Sequence, residues 1–265
     1  MTKPIFFCDL DQTMIYSMRM IDKHTGTYNG LAVVETHVKK PHSFMTVNAV
    51  KVLQELSREL VFVPCSTRSP TQFDRVFIPD VVNKHTILDN GGIILTNAQE
   101  DKDWARTIRE RVSSQSAAPS DVYAEVVAKF GKEEWFNKIR ITSNMFIAVI
   151  AHEKVPAHFI EYVKAQLGTW NYRYSVQSRS IYMLPVAVTK EAAAAELASR
   201  YGTKKTFAAG DSMLDLGLLE FAKHSIRPAH GELEELGSAK HIRSTTKPGV
   251  QAGEQILEFV TLSVR

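Results

Sequence analysis

Phe6-Phe-Cys-Asp-Leu-Asp-Gln-Thr13 places two carboxylates, Asp9 and Asp11, at the end of an apolar run. Like charges that close are mutually unfavourable, and each needs solvent, a hydrogen-bond donor or a cation to stay ionised. Residues i and i+2 of an extended chain point to the same side, so a strand through Ile5–Leu10 would offer both carboxylates to one place. The stretch is either an ordinary polar turn or one edge of a site for a cation and an anionic substrate.

Outward from this stretch, short apolar runs alternate with helix-period segments. Val47, Val50, Leu53 and Leu56 step by three after Thr46, as one helix face does, and LVFVPC (60–65) follows as a second buried strand. HTILDNGGIIL (85–95) reads as strand, turn and strand around Asn90-Gly91-Gly92. Near the C-terminal end come a helix from about Lys190 to Tyr201 closed by Gly202, a strand KTFAAG (205–210) and a helix LDLGLLEFA (214–222). Strands alternating with helices predict an α/β fold with a doubly wound parallel sheet covered on both faces.

Residues 96–182 break this alternation. They offer a charged helix (DKDWARTIRERV), a loop (SSQSAAPS), a helix opened by Ser120, the strands KIRITSN and MFIAVI, a helix after Pro156 ending at Gly168, and the strand-like YRYSVQSRSIYML. A small α+β domain inserted at 96–182 into a core of 1–95 and 183–265 accounts for the pattern. The insert holds 12 Lys/Arg against 10 Asp/Glu, a net of +2, so it is not a polybasic module.

Composition excludes several classes. At 265 residues, 44% hydrophobic, 23% charged and a net charge of +3, the chain reads as globular and long enough to bury a full core. No clustered basic stripe points to nucleic acid, and no apolar run approaches the eighteen residues of a membrane span. The charged motif arrives too early for a signal peptide, and Cys8 and Cys65 read as small buried hydrophobes of a reducing compartment, so the expected location is the cytoplasm.

Ligands of open parallel sheets bind at the carboxyl ends of strands. There the second strand ends in Ser66-Thr67-Arg68, with hydroxyls and N–H groups, and KTFAAG ends in Gly210-Asp211-Ser212, with Asp215 four residues beyond Asp211. Lys190 opens a helix, where a cation opposes the positive end of the dipole unless an anion sits beside it. Carboxylates, a lysine and a hydroxyl converging on one point describe a site for Mg²⁺ and a phosphate.

The set Asp9-Leu-Asp11-Gln-Thr13, Ser66 after a strand, Lys190 and Gly210-Asp211-Ser212-Met-Leu-Asp215 resembles the four ordered motifs of the haloacid dehalogenase-like phosphatase superfamily. Thr13 and Ser66 are 53 residues apart and Ser66 and Lys190 are 124 apart, so the insertion lies between the second and third motifs. That arrangement resembles the branch of Cof-type sugar phosphatases and sucrose-phosphatase, as does Asn90-Gly91. The resemblance implies a Rossmann-like core and a cap that closes on substrate. It implies Asp9 as nucleophile forming an aspartyl-phosphate, Asp11 as acid and then base, and Thr13 as a support of the loop. Ser66 and Lys190 would hold phosphoryl oxygens, with Thr67 and Arg68 beside them. Mg²⁺ would lie on Asp9, the Asp11 carbonyl and Asp211, with Asp215 in or near its outer contacts. The expected activity is a Mg²⁺-dependent phosphatase of a small phosphorylated metabolite, above all a sugar phosphate. A phosphomutase with the same intermediate and a non-catalytic phosphate-binding scaffold are the alternatives.

Two residues depart from the family pattern. Gln12 stands where glycine is usual, and Leu214 stands where an asparagine is frequent, so a polar contact there is either missing or supplied by Ser212. Arg68 either reaches substrate or pairs with a carboxylate. Lys138, Arg140, Arg173 and Arg179 read as a solvated sheet face rather than a sugar-phosphate reader, Trp104, Trp135 and Trp170 as core anchors, and His224 as structural. KHTGTYNGLAVVETHVKK (23–40) is either a flap near the site or a surface hairpin.

Overall fold

A computed structural model describes residues 2–26, 28–177 and 179–264. Thr27, inside the 23–40 segment, and Ser178, inside the strand-like 172–184, lie outside the described residues. Two compact units emerge, Met1–Glu100 with Lys190–Arg265, and Asp101–Thr189.

The first unit begins with β1 (Ile5–Cys8), every residue of which is buried. A turn leads to β2 (Tyr16–Ser17), α1 (Met18–His24) and the strands β3 (Leu31–His37) and β4 (Lys40–Thr46). β4 pairs antiparallel with both β2 and β3, so the 23–40 segment supplies one arm of a hairpin and its turn. The Thr46 hydroxyl accepts from the Ala49 N–H at 3.0 Å and caps α2 (Val47–Glu59). Val50, Leu53 and Leu56 form its buried face, whereas Val47, expected on that face, is exposed at the first helical position.

β5 (Val61–Pro64), the short α3 (Pro70–Phe73), β6 (His85–Leu88), β7 (Ile93–Thr96) and β8 (Gln99–Glu100) complete this part of the chain. β6 and β7 pair antiparallel across a turn in which Asp89, Asn90 and Gly91 all have positive φ. β8 then pairs back on β7, which holds the chain in the first unit to Glu100.

Asp101 caps α4 (Lys102–Gln115) through the Trp104 N–H and opens the second unit. It continues with α5 (Pro119–Phe130), β9 (Phe136–Thr142), β10 (Phe146–Ala151), α6 (Ala157–Trp170), β11 (Tyr172–Gln177) and β12 (Ser180–Pro185). The strands make an antiparallel sheet of order β11-β12-β10-β9. Three sequence expectations shift here. The 113–120 loop is shorter because α4 runs to Gln115 and Pro119 opens α5. The helix expected to end at Gly168 continues to Trp170 and closes on left-handed Asn171. The stretch 172–184 is two paired strands rather than one. Val122, Val126 and Phe130 of α5 and Phe159, Val163 and Trp170 of α6 cover one face of the sheet over Ile147, Val149, Ile181 and Met183. Because β12 belongs to this sheet and a turn joins Val188 to Pro185, the unit runs to Thr189; the limits expected from sequence were 96–182.

The chain returns through α7 (Lys190–Tyr201), β13 (Thr206–Ala209), α8 (Leu216–Phe221), β14 (His224–Arg227), α9 (Glu232–Glu235), β15 (Arg243–Ser244) and α10 (Val250–Val264). β15-β14-β13-β1-β5 is a five-stranded, all-parallel sheet. Its central strands β1, β5 and β13 are apolar but for Thr206 because both faces are covered, whereas the outer β14 and β15 carry His224, Ser225, Arg227, Arg243 and Ser244. Phe6, Phe62 and Phe207 meet Leu53 of α2 and Ile256, Leu257 and Val260 of α10, while Phe7, pointing the other way, packs edge-on against Phe221 of α8. The α/β fold with a doubly wound core is therefore the one that forms. No helix among the described residues is long and apolar enough to cross a membrane.

Candidate active site

β1, β5 and β13 lie side by side in parallel, so the residues after Cys8, Pro64 and Ala209 emerge at one edge of the sheet. Asp9 follows β1 directly, its N–H donating to the Ala209 carbonyl at 2.9 Å. Lys190, the first residue of α7, is wholly buried, and its Nζ donates to Asp9 Oδ1 and to Asp215 Oδ1, each at 2.6 Å. Asp211 completes the group: carboxylate oxygens of Asp9, Asp211 and Asp215 all lie within 4.8 Å of one another. Gly210 permits this closeness, since a Cβ there would fall 2.3 Å from Asp215 Cβ.

The charges explain what the group can hold. Burial, opposed by Lys190 and reinforced by Asp215, leaves the Asp9 carboxyl raised to about 7. Burial, Asp9 and Asp215 together hold Asp211 well above the ordinary carboxylate range. Lys190 would be discharged by its burial were it not for Asp215 and Asp9, which keep it firmly charged. Three carboxylates against one ammonium leave a buried excess of negative charge. A hard divalent cation on oxygen ligands would neutralise it, so the residues present fit such an ion.

Leu214 is buried, and Ser212 binds the last aspartate of the motif, its Oγ and N–H donating to Asp215 Oδ2 at 2.7 and 3.0 Å. Thr13 is fully buried, with Oγ1 3.5 Å from Asp211 Oδ1. Ser66 is buried at the tip of β5. Its N–H donates to Ile87 O, so only its hydroxyl is offered, and that oxygen accepts from the Arg68 N–H at 3.2 Å. Thr67 beside it is half-buried.

Asp11 departs from the simple geometry. The strand stops at Cys8, and the N–H groups of Thr13, Met14 and Ile15 all turn back to the Leu10 carbonyl. Asp11 therefore stays outside the buried trio, half-exposed, with its two oxygens gripped by Arg68 Nε and Nη2 at 2.7 and 2.8 Å. Of the two readings of Arg68, pairing with a carboxylate is the one seen. Gln12, at φ +67°, adopts the left-handed backbone usual for glycine.

Two residues at this edge went unread in the sequence. Glu35 of β3 is buried and receives Arg68 Nη2 and Ser43 Oγ. His230 donates from Nε2 to the Gln12 carbonyl at 2.7 Å and accepts the Gly249 N–H at Nδ1, and burial lowers it to about 4. Neither stands in a spacing that points to Asp9. Elsewhere, Lys138, Arg140 and Arg179 are exposed, and Arg173 donates to the Val188 carbonyl. Trp104 and Trp170 are buried, Trp135 packs beside Phe159, and His224 stacks on Phe207.

Comparison with known proteins follows the same line. Residues 123–250 match the family model described as haloacid dehalogenase-like hydrolase. No curated protein sequence matches the chain. Among solved structures, the sucrose-phosphatase of Synechocystis sp. PCC6803, in complex with sucrose and phosphate, superposes with a TM-score of 0.68 at 14% identity, covering 99% of this chain and 98% of that one. A trehalose-6-phosphate phosphatase related protein gives 0.57 at 14% identity over 98% of each chain. A haloalkanoate-superfamily phosphatase of Bacteroides thetaiotaomicron gives 0.58 at 10%, covering 100% of this chain and 96% of that one. The protein thus has the fold of the haloacid dehalogenase-like phosphatases along nearly its whole length, and its sequence matches the haloacid dehalogenase-like hydrolase model over residues 123–250.

Proposed function

We propose that the protein is a Mg²⁺-dependent phosphatase that hydrolyses a small phosphorylated metabolite, in the first instance a sugar phosphate, through an aspartyl-phosphate. The observation that carries this reading is Lys190, buried and bonded at 2.6 Å to both Asp9 and Asp215, beside the carboxylate of Asp211. Asp9, Asp211 and the carbonyl of Asp11 are the groups that would hold Mg²⁺, with Asp215 beside them. The ion supplies positive charge to the phosphoryl oxygens, without which one anion attacks another poorly.

The chain's own groups then divide the work. Lys190 fixes one oxygen of Asp9 and leaves the other free to attack phosphorus. Ser66, whose oxygen already accepts from a backbone N–H, turns its hydroxyl hydrogen toward a phosphoryl oxygen. As the P–O bond to the alkyl group breaks, Asp11 gives its proton to the leaving oxygen. In the second displacement Asp11 takes a proton from water, the water oxygen bonds to phosphorus, and the Asp9 carboxylate departs. Two displacements replace one hard one. Substrate choice beyond the phosphate is assigned to the unit Asp101–Thr189, a cap in this reading.

A phosphate-release screen over hexose and disaccharide phosphates with Mg²⁺, run beside Asp9→Asn, tests the reading. Release by the native chain with a loss of at least about 10³-fold in the variant is expected for a missing nucleophile. Equal turnover by both would exclude Asp9 as nucleophile. Conversion of a hexose phosphate to its isomer without inorganic phosphate would assign the protein as a mutase instead.

A further inference from the structure

Glu35 is a carboxylate with no exposed side-chain surface, placed on a hairpin arm rather than at a strand tip of the core sheet. Burying a charge is costly unless it is paired and hydrogen-bonded. Here Oε2 accepts from Ser43 Oγ at 2.6 Å and from Arg68 Nη2 at 2.8 Å, while Oε1 faces Arg75 Nη2 at 3.2 Å as an ion pair. Burial works to raise Glu35, but Arg68 and Ser43 outweigh it and hold the carboxylate below its ordinary range. The backbone around it is fixed as well, with Glu35 bridged to Val76 and the Phe77 N–H donating to Val34 O.

The same Arg68 nitrogen that reaches Glu35 also reaches Asp11 Oδ1, and Nε of that guanidinium takes Asp11 Oδ2. The planar fork cannot change its angle to Asp11 without breaking its bond to Glu35. The alternating line Arg75, Glu35, Arg68, Asp11 therefore ties the half-exposed Asp11 side chain to a fully buried anchor.

We infer that Glu35 is a positioning residue that acts through Arg68 to hold the Asp11 carboxylate for the water-activating half of the reaction. The inference rests on the phosphatase reading above, in which Asp11 takes the proton of the water that attacks the aspartyl-phosphate. In that step the water O–P bond forms, the P–O bond to Asp9 breaks, and the water proton passes to Asp11. The first half-reaction of an ester with a good leaving group needs no proton from Asp11, so it is insensitive to Glu35. The hairpin that carries Glu35 thereby gains a function: it is a strut behind the proton-transfer residue.

The test uses 2,4-dinitrophenyl phosphate with Mg²⁺, following dinitrophenolate by rapid mixing in the native chain, Glu35→Gln and Ser43→Ala. For Glu35→Gln the expected result is a burst of about one equivalent per chain, kcat lowered roughly tenfold and kcat/KM unchanged, since a misplacement of an ångström or less costs this order of rate. Ser43→Ala, which keeps every charge, should give the same split at a few-fold. Burst amplitude, kcat and kcat/KM falling in parallel, or kcat unchanged in both folded variants, would overturn the inference while leaving the phosphatase reading intact. A native chain that releases no dinitrophenolate would overturn the phosphatase reading, and the role of Glu35 with it.

Discussion

Ser212 Oγ donates to Asp215 Oδ2 at 2.7 Å while Lys190 Nζ holds Oδ1 of the same carboxylate at 2.6 Å. Both oxygens of Asp215 are thus fixed by side chains twenty-two residues apart in sequence, and the position held by Leu214 is free to serve the core. A hydrogen bond to a buried charge contributes about 1.5–3 kcal/mol. Ser212→Ala should lower stability by about that amount and reduce turnover several-fold by loosening Asp215. Chemical denaturation beside steady-state kinetics checks it; an unchanged midpoint and rate would mean that the Ser212 N–H alone suffices.

Metal binding has its own signature. Because the trio Asp9, Asp211 and Asp215 carries more negative charge than Lys190 offsets, Mg²⁺ should raise the melting temperature, and a chelator should reverse the rise. Ligand present at a hundred times its dissociation constant stabilises by about 2.7 kcal/mol. Asp211→Asn should abolish the shift. A shift of equal size in the variant would place the ion elsewhere.

Gln12 occupies left-handed backbone at φ +67°, which costs a residue with a Cβ about 1 kcal/mol or more. Gln12→Gly is expected to stabilise the protein by up to about 1 kcal/mol, reduced by the greater entropy of glycine in the unfolded chain. Activity should be retained, because the contact at this position is made by the Gln12 carbonyl and not the side chain. A clear loss of stability on that substitution would contradict the assignment of strain.

His230 sets an acid limit. Its folded-state value, about 4, lies below the 6.5 of a free histidine because burial disfavours the charged ring. Between these values the unfolded chain binds a proton that the folded one refuses, so this contribution is complete above pH 6.5 and is lost as pH falls towards 4. The loss amounts to at most about 3 kcal/mol. His230→Gln should flatten the fall in stability over that window, read from unfolding midpoints at pH 7, 5.5 and 4.5. An identical pH profile would show that His230 is not the group responsible.

Much of the site was legible because its parts obey local rules. Apolar runs that stop at Asp9, Ser66 and Asp211 announce strand tips, and strand tips of a parallel sheet share an edge. Lys190 stood out because a lysine opening a helix opposes the dipole, and the structure shows it buried against two carboxylates. The 23–40 segment was undecidable for an equally local reason. Its turn, Val38-Lys39, has both residues at positive φ without the Asn-Gly signature that marks such hairpins. Nothing near Glu35 in sequence hints at Arg68, thirty-three residues away.

The sequence by itself located the core strands to within a residue or two, with Asp9, Ser66 and Asp211 just after three of them and Lys190 at the start of a helix, since periodicity is a short-range property of the chain. Only the tertiary structure decided how the two aspartates of the opening stretch divide. Asp9 goes into the buried charge cluster, and Asp11 goes out to Arg68 and, through it, to Glu35. That division depends on the chain leaving the sheet at Cys8 and on burial and partner charges assembled from distant segments, and no local pattern encodes either.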